Sequence, residues 1–329
     1  MNENDLHPSD APSCTATSAQ CYTKLLKEHE DTKHVHPVLY LNEIPGAMDK
    51  MGWKVSAKMM RHWFDNHYWK MPPRDRGGLH NENPDDPVIY SELDPWKVNE
   101  DIITMKWARG FYRFEVIFEK LRLRWDTLNS RRLLRKRLLH TGWRPGVCFK
   151  LGMVGQKASV LENISQINFR PFGNYRDTLD DFYGAIFKAT LHVAVVGYTT
   201  LDPLSNKDIF VVTDLGYYIR DTYDFNDGDK LSDLWVNFLT GGLGIWSRDK
   251  MLSKWDTVMH YDNNLKAALA HPNIYKGFWK EYGNFVPVSN GDFYKWADKY
   301  NKGGDFYVFS DVLWEKPYGG RCALELPVE

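Results

Sequence analysis

The chain has 329 residues, which is enough for one large domain or two smaller ones. Hydrophobic residues make up 43% and charged residues 26% of it, a balance that is typical of globular proteins and excludes a fully disordered chain. The formal net charge of −1 excludes a chain-wide field that would attract nucleic acid or an anionic membrane. Aromatic residues reach 15%, which we interpret mainly as core, with a binding surface as the alternative.

The cysteines and the apolar segments limit the cellular compartments in which the chain could function. Four cysteines are present: Cys14, Cys21, Cys148 and Cys322. None forms a CxxC pair, so they predict neither a zinc knuckle nor a disulfide scaffold, and their redox state stays open. The first 20 residues lack the features of a cleaved leader, and Leu234 to Trp246 is too short to span a bilayer. We therefore expect a soluble protein, cytoplasmic in the producing cell, without stable membrane insertion.

The N-terminal region divides into an arm, a helix and a linker. Residues 1–36 are polar and lack apolar periodicity, which predicts a disordered arm. A helix is then predicted from Pro45, because apolar residues follow at spacings of three and four: Met48, Met51, Val55, Met59 and Trp63. Residues 71–87 are rich in Pro, Gly and Asn, which indicates a linker.

The strongest helical pattern comes next. It predicts one long amphipathic helix, whose inner face comprises Phe111, Phe114, Phe118, Leu121, Trp125 and Leu128. Between Lys106 and Arg137 the other faces carry eleven basic residues against three acidic ones. We interpret these charges as a solvated surface with ion pairs. The alternative is a contact surface for an anion: nucleic acid, a lipid head group or an acidic protein.

The period changes from about residue 150. Ala189, Leu191, Val193 and Val195 alternate with more polar residues, which predicts a strand with one buried face and an exposed His192. Further elements are predicted in chain order: a turn region from Gly197 to Asn206, a strand or strand pair from Asp208 to Phe225, a short helix through Trp296, and a strand from Phe306 to Trp314.

Strands that follow helices without βαβ alternation indicate an α+β fold. We expect a helical N-terminal half packed on a largely antiparallel, twisted or half-barrel sheet in the C-terminal half. The expected divisions are an arm at 1–36, a helical region at 37–148 and a β-rich region at 149–329, which carries the candidate site.

Asp221 departs from the pattern of its strand. A regular strand would place it on the same face as Tyr217, Ile219, Tyr223 and other apolar residues. A bare carboxylate on a buried face is costly, so it needs a cation, a proton or hydrogen bonds. Arg220 points to the opposite face, which leaves Arg170, Arg248 or a metal ion as candidate partners.

An acidic loop follows this strand. Asp224, Asn226, Asp227 and Asp229 surround Gly228. Oxygen ligands on a glycine-containing turn suit Mg²⁺ or Ca²⁺, which makes Asp221, Asp224 and Asp227 the candidate metal ligands. The alternative is a hairpin turn in which Asn and Asp side chains bond the backbone.

Four segments of the chain resemble an uncharacterised proteobacterial family over residues 38–315. They are IPGAMDKMGWKVSAKMMRHWF, PFGNYRDTLDDFYGAIFKATLHVAVVG, LGYYIRDTYDFND and GGDFYVFSDV. Members of that family are often encoded beside spike and PAAR genes of type VI secretion systems. The resemblance implies an antibacterial effector whose partners are VgrG or PAAR spike proteins and a cognate immunity protein. Two alternatives stay open: a non-enzymatic adaptor of the spike, and a toxin that acts on nucleic acid.

A shorter motif resembles the signature of colicin M-type toxins, which cleave the pyrophosphate linkage of lipid II. Asp221-Thr222-Tyr223-Asp224 is similar to its Asp-x-Tyr-Asp half, whereas Lys230-Leu231 stands where His-Arg is expected. The resemblance implies a hydrolase with Asp221, Tyr223 and Asp224 as catalytic residues, and with His192 or His260 replacing the missing histidine. Carboxylates that hold Mg²⁺ would neutralise the pyrophosphate.

Overall fold

A computed structural model describes residues 39–75, 88–174, 176–225, 244–253 and 284–327. Within these ranges lie eight α-helices: α1 (Ile44–Lys50), α2 (Lys54–Asp65), α3 (Met105–Ala108), α4 (Tyr112–Leu123), α5 (Leu128–His140), α6 (Ala158–Ile164), α7 (Asp181–Ala185) and α8 (Asn290–Tyr300). The strands there are β1 (Val98–Asn99), β2 (Lys150–Leu151), β3 (Gln166–Phe172), β4 (Ala189–Leu201), β5 (Asp208–Tyr223), β6 (Ile245–Trp246), β7 (Val286–Pro287), β8 (Phe306–Phe309), β9 (Leu313–Glu315) and β10 (Ala323–Glu325).

The sheet is built around the long antiparallel hairpin of β4 and β5. With six further strands it forms an eight-stranded sheet in the order β1-β8-β5-β4-β2, with β3 also on β4 and with β9 and β10 also on β5. All pairs are antiparallel except β1 with β8. Because each long strand has different partners along its length, the sheet curls into a half barrel. The predicted α+β fold is therefore confirmed, with most helices in the N-terminal half.

Both faces of the hairpin are covered. The front face carries Leu191, Val193 and Ile219 and belongs to the main core, which extends in sequence from Ile44 to Leu326 and includes residues of α1, α2, α4, α5 and α8. The back face carries Tyr218 and belongs to a second, smaller core with residues 88–90 and α6. The expectation of a single buried face for β4 is therefore wrong, because a second layer covers its other face.

The single long helix predicted from Phe111 to Leu128 is wrong, because the chain forms α4 and α5 with a break between them. Thr127 caps α5: its hydroxyl accepts from the backbone N–H of Ser130, and the Ser130 side chain bonds back to the Thr127 N–H. This reciprocal cap starts a new helix. The buried stripe holds at Phe114, Phe118 and Leu121, while Leu128 is 57% exposed.

Three other boundaries differ from the sequence-based expectations. The predicted N-terminal helix is divided at Gly52, whose φ of +80° ends α1 before α2 begins. The strand β4 continues to Leu201, so the turn region is shorter than expected. The last predicted strand is two strands, β8 and β9. The arm at 1–36, most of the linker, and Cys14 and Cys21 lie outside the described residues, whereas Cys148 and Cys322 are exposed free thiols.

Candidate active site

Asp221 lies near the end of β5, on the front face that the alternation of its strand predicts. Its neighbour across the sheet is Val308 of β8, which belongs to the main core. Ile219 and Tyr223, the adjacent residues on the same face, are packed into or against that core. Only 7% of Asp221 is exposed, so the carboxyl group sits in largely apolar surroundings.

Burial raises the pKa of Asp221 well above its ordinary value of 3.8. The nearby charge of Asp224 raises this pKa further, whereas a hydrogen bond from the backbone N–H of Thr222 and the charge of Arg220 oppose the shift. Of the cations expected as partners, Arg248 bonds Glu43 with 3.1 Å between Nε and Oε2, and Arg170 lies two strands away on β3. Asp221 is therefore stabilised in its protonated form.

Tyr223 and Asp224 complete the motif at the strand end. The Tyr223 ring stacks on Phe306 at a centroid distance of 5.2 Å, and burial raises the pKa of its hydroxyl. Asp224 is half-buried and accepts a hydrogen bond from the Thr222 hydroxyl at 2.9 Å. Two other expected site residues, Asp227 and His260, lie outside the described residues.

A third carboxyl group, Asp305, was not identified from the sequence. It is fully buried just before β8 and accepts three hydrogen bonds: Trp63 Nε1 at 3.0 Å, the Met71 N–H at 2.8 Å and the Tyr294 hydroxyl at 2.8 Å. Burial raises its pKa to about 6, although the three donors lower it and the charge of Asp224 raises it.

Sheet pairing places Asp224 opposite Asp305, and Asp221 lies three residues before Asp224 in the chain. Tyr223 of β5 pairs with Phe306 of β8, and Asp224 and Asp305 each stand one residue beyond that pair. The charge of Asp224 acts on both Asp221 and Asp305. We name Asp221, Asp224 and Asp305 the carboxyl cluster. Burial raises the pKa of both Asp221 and Asp305, and carboxyl groups that hold a proton in this way are suited to general acid chemistry.

The metal set expected from the sequence can be assessed only in part. Asp224 bonds Thr222, which points to the face opposite Asp221 in a regular strand. Over the described ranges, no three His, Cys, Asp or Glu side chains converge in a way that could hold a metal ion. Asp221 and Asp224 are the two expected ligands that the structure describes.

His192 lies on the back face of the sheet, where the exposed position expected for it is wrong. It is fully buried opposite Tyr218 of β5. Its Nδ1 lies 2.8 Å from Oε2 of Glu162, and its Nε2 lies 2.6 Å from the hydroxyl oxygen of Thr190. The sheet separates His192 from the carboxyl of Asp221, so the two do not form one catalytic pair.

Glu162 is the centre of this back-face group, which we name the ionic network: Glu162, His192, Thr190, Tyr218, Arg220 and Tyr90. Tyr218 donates its hydroxyl to Glu162 at 2.6 Å, and Arg220 lies 3.9 Å from the other carboxylate oxygen. Arg220 also donates to the Tyr90 hydroxyl at 2.6 Å. Burial opposes ionisation of Glu162, yet its neighbours His192, Arg220 and Tyr218 hold its pKa well below the usual range.

The order of carboxylate, imidazole and hydroxyl in this network is that of a nucleophilic triad. Here, however, Glu162, His192 and Thr190 are all buried, and the Thr190 hydroxyl donates to the Arg220 carbonyl oxygen at 3.2 Å. A substrate cannot reach a nucleophile in that position. The ionic network therefore acts as a structural link between α6 and the sheet.

Many basic residues predicted on the helix surface are neutralised by acids. Arg109 bonds Glu115 at 2.6 Å, Arg113 bonds Asp180, Arg122 bonds Glu315 at 2.8 Å, and Arg131 bonds Asp126 at 2.8 Å. This agrees with the interpretation as a solvated surface with ion pairs. It leaves a weaker positive field than the count of basic residues suggests.

Fold and site together define an α+β protein with a cluster of carboxyl groups where β5 and β8 meet. The chain belongs to a family of unknown function, DUF6402, which matches residues 39–319. Neither the curated proteins nor the solved structures contain a match to the chain. Across the described residues, no helix has the length and apolar character needed to cross a membrane.

Proposed function

We propose that the protein is an antibacterial effector associated with type VI secretion, and that it hydrolyses a pyrophosphate of the cell envelope, with lipid II as the representative substrate. The observation that carries the proposal is Asp221, a buried carboxyl group whose pKa is raised by burial and by the charge of Asp224, three residues further along the chain. Strongly perturbed carboxyl groups of this kind occur preferentially at functional sites.

The proposed chemistry divides the work between two carboxyl groups. Asp221 donates its proton to the leaving phosphate oxygen as the phosphorus–oxygen bond breaks. Asp224 is the more accessible of the two, and it accepts a proton from the water that attacks phosphorus. The two transfers balance, since one proton leaves the protein and one returns. Asp305 positions this site through its bonds to Trp63, Met71 and Tyr294.

Mg²⁺ or Ca²⁺ is part of the proposal, with Asp221, Asp224 and Asp227 as the proposed ligands. A divalent cation bound there would neutralise charge on the pyrophosphate. It would also favour the ionised form of Asp221, so cation binding and proton donation compete at this residue. Activity measured over a range of Mg²⁺ and pH would therefore separate the two roles.

The test is expression in a susceptible bacterium, with and without a periplasmic leader, scoring lysis. We expect lysis with the leader and its loss in the Asp221→Asn variant, which keeps the shape of the side chain but cannot ionise or donate a carboxylic proton. Asp214→Asn is the matched control, because Asp214 lies on the same strand and pairs with Lys316 at 2.7 Å, away from the cluster. This control should still kill.

Thermal melts of both purified variants make the result interpretable. A folded Asp221→Asn protein that still lyses cells contradicts the choice of site. Absence of lysis by the wild-type chain in both compartments contradicts the effector function itself.

A second candidate function is that of a spike adaptor, and one surface favours it. Residues beside the β2–β4 edge expose apolar side chains, among them Val147, Met153 (63% exposed), Val154 and Leu201. Since Lys150 of β2 pairs with Tyr198, these side chains belong to one region of the sheet edge. Exposed apolar groups at a sheet edge are typical of protein contacts. Co-purification with the spike protein, abolished by Met153→Asp, would support this function.

A further inference from the structure

A cleft opens on the surface between α2, α8 and the segment that precedes α1. Its volume is about 310 Å³, at the lower end of the range in which proteins bind small ligands. The floor is aromatic, with Phe64 of α2 and Trp296 of α8, and the rim is polar, with Asn42, Arg61, Asp65 and Lys302. This combination is separate from the carboxyl cluster and from the ionic network.

The floor offers a preformed aromatic surface. The rings of Phe64 and Trp296 meet edge to face, with centroids 4.8 Å apart. Tyr300 lies next to Trp296 at 4.9 Å and is 51% exposed, so the aromatic surface continues outward along α8. Below them, Trp63 packs against Phe64 at 5.3 Å, which fixes the floor from the core side. Little rearrangement is needed before a flat, apolar ligand face can stack there.

The charges of the rim favour an uncharged ligand. Arg61 is engaged by Asp49 in an ion pair, so its charge is already balanced. The carboxylate of Asp65 stands at the rim with Lys302, and it would repel an anion that Lys302 attracts. What remains is a set of planar and flexible groups, the Asn42 amide, the Asp65 carboxylate and the Lys302 ammonium, which can bond neutral hydroxyls.

We propose that this cleft binds a pyranose sugar. The C–H face of a sugar ring stacks on the Trp296 indole, while its hydroxyls bond Asn42, Asp65 and Lys302. Apolar stacking combined with directed hydrogen bonds is the chemistry that a sugar requires, since each of its rings presents both kinds of surface. This inference goes beyond the proposed hydrolysis and does not depend on it.

One residue, Trp63, contacts both the floor of the cleft and the carboxyl cluster. Its indole N–H donates to Asp305, and its ring contacts Phe64 in the cleft floor. A ligand seated on the floor would therefore be separated from Asp305 by two layers of side chains, the floor residues Phe64 and Trp296 and then Trp63. If both proposals hold, the sugar part of a lipid-linked pyrophosphate would bind in the cleft.

The test is titration of the full chain with N-acetylglucosamine and N,N′-diacetylchitobiose, followed by calorimetry and by saturation transfer in ligand-observed NMR. We expect a Kd on the order of 1 mM, as suits a small open cleft. Trp296→Ala should weaken binding about tenfold or more through lost stacking. Asp65→Asn should weaken it several-fold, because the carboxylate accepts stronger hydrogen bonds than an amide.

Two matched controls keep the result specific. Tyr112→Ala removes an aromatic ring that is 84% exposed on α4, and Lys295→Ala removes a neighbouring cation from α8 outside the cleft lining. Both should bind the sugars as the wild type does. If Trp296→Ala does not fold, Asp65→Asn carries the test alone.

Three outcomes would overturn the proposal. In the first, the folded wild-type chain binds neither sugar at a concentration 10-fold above the expected Kd. In the second, the Asp65→Asn and Trp296→Ala variants both bind the sugars as the wild type does. The third is competition by inorganic pyrophosphate at lower concentration than the sugars, which would make the cleft an anion site. Because each readout is binding, a failure here leaves the lysis test of Asp221 unaffected.

Discussion

The ionic network and the carboxyl cluster both contain acidic groups on the same sheet, but their surroundings shift the pKa values of these groups in opposite directions. Glu162 meets a histidine, an arginine and a tyrosine hydroxyl, which together hold its pKa low. Asp221 meets mainly apolar side chains, so burial raises its pKa. The difference shows that burial alone does not decide the charge of a carboxyl group, because the partners that share the buried space decide it.

The two regions therefore respond to pH with opposite signs. Glu162 binds its proton more weakly in the folded chain, so its contribution to stability is present above an unfolded pKa near 4.5 and is lost in acid. Asp221 and Asp305 bind their protons more tightly when folded, so their favourable contribution is present below about 3.8 and is lost as pH rises. For Asp305 this contribution is lost as pH rises from the ordinary value of 3.8 through its folded pKa of about 6.

Glu162→Gln should produce the largest effect, because it removes the buried negative charge that balances the guanidinium of Arg220. We expect the free energy of unfolding at pH 7 to fall by about 3–5 kcal/mol, measured by urea denaturation. Glu92→Gln is the control, since Glu92 is exposed and should change stability by less than about 0.5 kcal/mol. Equal losses in the two variants would show that Glu162 is not held by its buried partners.

Asp221→Asn should have the opposite sign. The amide has no proton to lose, so the variant escapes the penalty that neutral pH imposes on a buried carboxyl group. We expect it to be more stable than the wild type at pH 7 by roughly 0.5–2 kcal/mol, the range that single stabilising substitutions commonly give. The gain should shrink towards pH 4, as denaturation over a pH series would reveal. A variant less stable than the wild type at every pH would mean that Asp221 pairs with a cation.

Tyr294→Phe should give the smallest effect in this comparison. It removes one of three donors to Asp305 without removing the ring, so the pKa of Asp305 should rise above about 6. The stability at pH 7 should fall by about 1 kcal/mol. Carboxyl titration followed by NMR measures the shift, with Tyr300→Phe as a control on the same helix. If the pKa of Asp305 does not change in this variant, Tyr294 does not help to position the carboxyl cluster.

Alternation along the chain predicted the face of Asp221 but not the surroundings of His192. On β5 the apolar neighbours Tyr217, Ile219 and Tyr223 mark the buried side directly. On β4 the sequence indicates a polar face around His192, and a polar face looks the same whether water or a second layer covers it. The cover comes from residues 88–90 and α6, which are distant in sequence. Only the tertiary arrangement distinguishes the two cases.

The sequence could have revealed one of two other features, the break between α4 and α5, but not the role of Asp305. The break between α4 and α5 carries a recognisable pattern, since Thr127 and Ser130 have the spacing of a reciprocal cap. Asp305 has no such pattern. Its role depends on Trp63, Met71 and Tyr294, which lie far apart in sequence before the fold joins them. A single aspartate after two glycines gives no sign of three donors.

Arg220 and Asp221 are consecutive residues of β5 that point to opposite faces, and their order fixes the alignment of the hairpin. A slip of one residue along β4 or β8 would turn the guanidinium of Arg220 into the main core. The same slip would turn the carboxyl group of Asp221 towards the carboxylate of Glu162, where two carboxyl groups would share one buried space. Both errors are costly together, so the order of an arginine and an aspartic acid favours a single register of the central strand.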